Sequence, residues 1–143
     1  MKELKILLVL LLLGMKAALA QTADAILGNW LNEEKDARIQ IYKSGAAYFG
    51  KIVWLKTPNE ADGTPKIDKK NSSAALRTRP IMNLVILTKF NFDDGEWTAG
   101  EIYDPKSGKT YSSNMKLKGD KLEIRGYVGI SLFGRTTVWT RAM

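Results

Sequence analysis

The first apolar run, residues 6–13, is eight residues long and follows Lys2 and Lys5; Ala18-Leu19-Ala20 then puts small side chains at the two positions a signal peptidase reads. This three-part pattern predicts a secretory leader, residues 1–20, cleaved after Ala20. The run is well short of the roughly 20 apolar residues that a spanning helix needs, so no stable membrane span is expected. With no Cys behind it, lipid attachment at that point is excluded.

Beyond the leader the pattern changes to short alternating runs separated by turn residues, and no stretch keeps helical spacing for three turns. Eight strands are predicted, at 28–31, 38–42, 46–55, 82–92, 97–103, 109–117, 121–128 and 135–141. In the third, Tyr48, Gly50, Ile52 and Trp54 share one face. In the fourth, Leu84, Ile86, Thr88, Phe90 and Phe92 share one face, and Asp93-Asp94-Gly95 then supplies hairpin chemistry. Strands joined in order by tight turns favour an all-β, up-and-down antiparallel sheet, and closing eight of them into a barrel removes the exposed edges. An outer-membrane barrel would need strands of roughly ten residues with a continuous apolar outer band. Several of these strands are shorter, and Lys121, Glu123 and Arg125 line one face of the seventh.

Residues 56–80 break the hairpin rhythm. They hold Pro58, Asp62-Gly63, Pro65 and Asn71-Ser72-Ser73, with room for one helical turn at 74–77. Loops of this length in compact domains are commonly functional. Ile67 and Leu76 suggest docking onto the barrel, so a lid across one mouth is expected.

The chain has 143 residues, 45% hydrophobic, with a net charge of +7, no His and no Cys. Without the leader, 123 residues remain with 19 basic and 14 acidic side chains, a net charge of +5 on one domain, residues 21–143. The missing residue types exclude disulfides, thiolate metal sites, His-based triads and histidine metal centres. No cofactor is implied. The positive charge is spread out and not interleaved with aromatics, which argues against a nucleic-acid partner.

Gly28-Asn29-Trp30 and Arg141 resemble the first-strand G-x-W and last-strand Arg of lipocalin-like (calycin) barrels, and the resemblance implies that the Arg packs over the Trp to close the base. The ordered set GNW, FGKIVWL, DKKN, LRTRP, EIYDPKSGKTY, LEIRGYVG and GRTTVWTR, from about Leu27 to Arg141, is similar to the secreted bacterial domain-of-unknown-function family 2147. Many of its members carry Cys near the positions of Tyr127 and Phe133 and Gly in place of Asn83. Any role resting on those cysteines is closed to this chain.

Catalysis here would have to use carboxylates, hydroxyls, Lys or Arg. A hydrolase using Glu101 with Asp104 or Asp68 is the least remote enzyme, but Glu101 and Asp104 are three apart on a strand and its turn and so face different ways. Asp62 to Asp68 lacks the ligand set of a calcium loop and reads as a polar turn. For ligand binding the candidates are Glu101, Tyr103, Arg77, Arg79, Asp68 and Asn71. Glu101 shares strand parity with Trp97 and Tyr103, and Arg77 and Arg79 carry forked donors suited to a carboxylate or phosphate. The milder alternatives are a solvated Glu101 and an Asp68 and Asn71 that simply fix the loop. Trp54, Trp97 and Trp139 read as core, and Arg125 as a solvated cross-strand partner.

The leading expectation is an exported, periplasmic or secreted, non-enzymatic lipocalin-like barrel that binds a small hydrophobic or amphipathic ligand, or a cell-envelope component. The alternative is a filled barrel acting as a protein-interaction or structural module, and a carboxylate-dependent hydrolase is third. The first two differ in whether the interior holds an apolar cavity of roughly 300 Å³ or more.

Overall fold

The computed structural model of the protein describes residues 22–143; the leader expected at residues 1–20 lies outside them. Eight strands follow a 3₁₀ turn at Ala23–Ile26: β1 (Gly28–Leu31), β2 (Ala37–Ser44), β3 (Ala47–Leu55), β4 (Val85–Asp93), β5 (Glu96–Asp104), β6 (Lys109–Lys118), β7 (Lys121–Tyr127) and β8 (Arg135–Arg141). Each pairs antiparallel with the next, and β8 returns to β1 through Trp30↔Arg141 and Leu31↔Thr140, so the sheet is a closed barrel in strictly sequential order. This is the up-and-down antiparallel barrel that the alternating pattern predicts.

The two ends of the barrel differ. At one end, two-residue turns at 45–46, 94–95 and 119–120 join the strands. Asp94 and Gly95 both have positive φ (50° and 79°), the geometry that suits the right-handed twist of a hairpin. The other end carries the longer connections, at 32–36, 56–84, 105–108 and 128–134. Asn83 sits at φ 67°, a left-handed position that Asn tolerates and Gly accepts freely.

Three irregularities break strand parity. Arg38 faces Trp54 and Ile39 faces Ile52, leaving Val53 as an extra residue. Trp54 is thereby turned away from Tyr48, Gly50 and Ile52, and it lies half-buried under the Arg38 guanidinium, 4.8 Å from the ring centroid, instead of in the core. In β4 the register slips around Ile86, and both Ile86 and Leu87 are buried while Thr88 pairs with the exposed Glu101. In β5, Ala99 takes φ 57°, so that after Trp97 it is Gly100 and Ile102 that face inward.

The end with tight turns is filled. Trp30, Tyr48, Leu87, Phe90, Trp97, Met115 and Leu122 are essentially without solvent contact. Gly50 and Gly100 make room for this packing: a Cβ at Gly50 would lie 2.7 Å from Leu87 Cδ1, and one at Gly100 2.5 Å from the Phe90 ring. Below this layer the 3₁₀ turn plugs the base. Trp97 Nε1 donates to Ala23 O (3.0 Å), Trp30 Nε1 to Ile26 O (2.9 Å), and Arg141 donates Nη2 to Ala25 O and Nη1 to Leu27 O, both 2.9 Å. Tyr48 Oη donates to Asp24 at 2.5 Å. Burial and that carboxylate push the Tyr48 phenol up to about 12, so it remains a donor at neutral pH. The Arg141 guanidinium lies 4.0 Å from the Trp30 ring centroid, which is the closure that G-x-W and the terminal Arg implied.

Replacing Arg141 with Ala removes this cation–π contact and two charge-assisted hydrogen bonds. The expected loss is about 1–2 kcal/mol, a fall in Tm of roughly 4–8 °C by thermal unfolding. An unchanged Tm would contradict the assigned closure.

Candidate functional site

The half of the barrel facing the long connections is hollow. A cavity of about 850 Å³, its open polar mouth included, lies there, against the roughly 300 Å³ that a small ligand needs. Its inner wall is mainly apolar: Ile39, Ile52, Leu55, Ile86, Ile102, Ile124 and Trp139, with Tyr111 and Thr137 among the polar groups. The space exists because inward positions high in the barrel carry modest side chains. Gly126 is one of them, and a Cβ there would find ordinary contact distances of 3.5 Å to Ile102 and Tyr111. One strand step away, Ser113 faces Gly126 and Gly100 on its two neighbours; it is buried, and its Oγ has no hydrogen-bond partner.

The mouth is polar and nearly balanced in charge, with Glu34, Asp36, Glu60 and Asp104 set among Lys66, Lys69, Lys70, Lys106 and Arg135. Lys106 Nζ reaches Asp36 Oδ2 at 2.6 Å. In an eight-stranded ring the 32–36 and 105–108 connections lie on opposite sides, so this ion pair spans the opening. Both partners are substantially solvated, which limits its strength. Burial acts to raise the Asp36 pKa, but hydrogen bonds from Lys106 and Asn32 outweigh it, and the carboxyl sits below its ordinary range.

The long segment forms one side of the mouth through residues 57–70 and then packs against the open end of β5. Its anchor is Asp68, which has no solvent contact. Tyr103 Oη donates to Asp68 Oδ1 (2.5 Å), while Asn71 Nδ2 (3.0 Å) and Arg79 Nε (2.8 Å) donate to Oδ2. Arg79 also lies over the Tyr103 ring, 5.5 Å from its centroid, and Arg77 Nε donates to the Asn71 carbonyl at 2.8 Å. Desolvation pushes the Asp68 pKa up; the three hydrogen bonds and the Arg79 charge win, and the net shift is downward. Burial and the Asp68 carboxylate raise the Tyr103 pKa. A Cβ at Gly108 would collide with the Lys70 carbonyl, so the β5–β6 turn and the segment touch backbone to backbone.

Five of the six residues singled out for ligand binding, Asp68, Asn71, Arg77, Arg79 and Tyr103, are thus brought together in one network. In it they bind each other, and Asp68 works through side-chain partners as well as its backbone. Glu101 does not join them. The turn at Ala99 reverses the expected parity with Trp97, and Glu101 is exposed on the outer surface, where it forms no facing pair with Asp104 or Asp68. Ile67 and Leu76 are exposed rather than docked; Ile81, buried, is the apolar anchor of the segment. Asp62 accepts from Thr64 N and Oγ1, the polar turn expected. Arg125 departs from a simple solvated cross-strand role: it bonds its neighbour Thr136 and also the carbonyls of Ser131 and Leu132. Ile39, Ile52, Ile86 and Ile124 stood on apolar strand faces in the sequence, Ile102 faces inward only because of the Ala99 irregularity, and the emptiness between them had no sequence signal.

Because the folded Asp68 pKa is depressed, the latch is at full strength above the ordinary carboxylate value of 3.8 and is lost as pH falls through the lower folded value. The raised Tyr103 pKa sets the alkaline limit: its contribution is full below 10.0 and lost as pH rises through the folded value. Limited proteolysis within 56–80 should therefore be slow from about pH 4 to 10 and accelerate on either side. Asp68→Asn should make cleavage fast at neutral pH and cost roughly 1–3 kcal/mol in global stability.

A solved structure, "Protein HP1028 from the human pathogen Helicobacter pylori belongs to the lipocalin family", superimposes with a TM-score of 0.71 at 21% sequence identity, covering 82% of this chain and 83% of that one. At that identity the likeness concerns the fold. No curated protein matches the sequence. The model of a bacterial family described as "Uncharacterized protein conserved in bacteria (DUF2147)" matches residues 28–141, from the glycine that opens β1 to the arginine that closes the barrel, and the chain belongs to that family.

Proposed function

We propose that this chain is an exported, non-enzymatic binding protein that carries one small, largely apolar molecule in the open half of its barrel. The cavity of about 850 Å³ carries the reading: its size suits a single small ligand, and its aliphatic and aromatic wall would desolvate an acyl chain or fused ring. The mixed charges of the mouth suit a polar end that stays wet. Export rests on the leader pattern of residues 1–20, and passage through the envelope suits a carrier of poorly soluble molecules. The Lys106–Asp36 pair across the opening acts as a weak crossbar that a ligand must displace. The Asp68 network keeps the long segment in place while that happens.

Native mass spectrometry of the protein isolated from its own envelope should reveal a co-purifying small molecule. In titrations with a hydrophobic fluorescent probe, Trp139 in the cavity wall should report uptake, and Thr137→Trp, which fills the hollow, should weaken it at least about tenfold. A protein that carries nothing and ignores such probes would act instead as an interaction module. Lys106→Met should speed probe entry and release several-fold while shifting stability by no more than about 0.5 kcal/mol.

A further inference from the structure

Large apolar side chains are kept inside this barrel with one concentrated departure. Val128 (74% exposed), Ile130 (57%), Leu132 (76%) and Phe133 (77%) all belong to the seven residues that join β7 to β8. Exposed apolar groups in this density mark a contact surface. The loop has a defined shape. Arg125 reaches along it from β7 and donates Nε to Ser131 O (2.6 Å), Nη2 to Leu132 O (3.2 Å) and Nη1 to Thr136 Oγ1 (2.8 Å). At its end Gly134 lies against the strand, where a Cβ would come within 2.7 Å of the Gly126 carbonyl. A guanidinium thus holds the loop by its carbonyls, and the Leu132 and Phe133 side chains are left in water.

We propose that this loop docks the barrel, mouth first, onto an anionic lipid bilayer, with Leu132 and Phe133 seated among the acyl chains. Three observations converge on that occupant. From 126 to 134 the chain carries no charge, and the charged residues on either side, Arg125 and Arg135, are both cationic. Arg135 shares the rim with Lys66 and Lys70, and none of these three enters an ion pair among the described residues. Cationic groups beside an apolar tip are what an anionic interface attracts. The shape also favours lipid: a seven-residue tip offers a wedge, not the roughly 800 Å² face that a stable protein partner covers. Finally, Val128 and Phe133 line the cavity as well as the tip, so apolar surface runs unbroken from the interior to the docking point. Docking does not depend on what the cavity holds.

The test is co-flotation of the mature protein with vesicles of phosphatidylcholine containing about a quarter phosphatidylglycerol. Binding is expected at low salt, weaker as salt rises and weaker on pure phosphatidylcholine. The double variant Ile130→Ser, Leu132→Ser, at two loop residues outside the cavity wall, should partition at least about tenfold less while keeping the Tm and the cavity's uptake of a soluble probe. Lys66→Gln with Lys70→Gln should lose several-fold on anionic vesicles only. The proposal falls if the wild-type protein does not float with anionic vesicles, or if the double variant floats equally well. It falls too if sedimentation shows a dimer that the double variant abolishes, since the loop's occupant is then a second copy.

Discussion

Four side chains from the barrel wall hold a five-residue plug, and the rest of the architecture hangs from that contact. The carbonyls of Ala23, Ala25, Ile26 and Leu27 are taken by two indoles and one guanidinium, and Asp24 is met by a phenol. A segment lying across the base of a barrel would otherwise bury unpaired backbone groups, each costly. Here three of the residues that satisfy it, Trp30, Trp97 and Tyr48, also supply the bulk that fills the lower half, while the exposed Arg141 covers Trp30. Polar satisfaction and packing are performed by one set of atoms.

With the base solid, the upper half need not be. Stability is drawn from the filled layer and the plug, which leaves Gly126, Thr137 and the spaced isoleucines free to enclose a void. Apolar walls without bulk to fill them forgo dispersion contacts, and such a hollow persists only where other contacts support the ring. The long segment is fastened from outside by a buried carboxylate with three donors, so its polar side chains are satisfied without entering the cavity. Structure and access are divided between the two ends of one cylinder.

Strand number, order and turn positions could be read from the sequence because each rests on local chemistry: alternation over five to ten residues, and Gly or Asp at the reversals. The contact between Trp30 and Arg141, far apart in sequence, was legible only through the family pattern. Parity was readable until a single extra residue intervened. Val53 turned Trp54 out of the core, and Ala99 turned Glu101 away from the aromatic face, because a period of two has no memory across a bulge. The plug escaped notice since a four-residue 3₁₀ turn has no periodicity of its own and is created by the side chains that capture it. Asp68, Asn71, Arg77, Arg79 and Tyr103 were singled out one by one from donor and acceptor chemistry, whereas their gathering and mutual saturation depend on distances that no spacing encodes.

The bond between Arg141 and Leu27 joins residues 114 apart, nearly the full span of the domain. Synthesis must therefore pass through β8 before the ring can shut. Until then the growing polypeptide exposes two unpaired strand borders, at β1 and at whichever strand was made last, each able to recruit a stranger. A chain interrupted before β8 is left in that state, so the vulnerability of this molecule is concentrated in the strand that completes the ring.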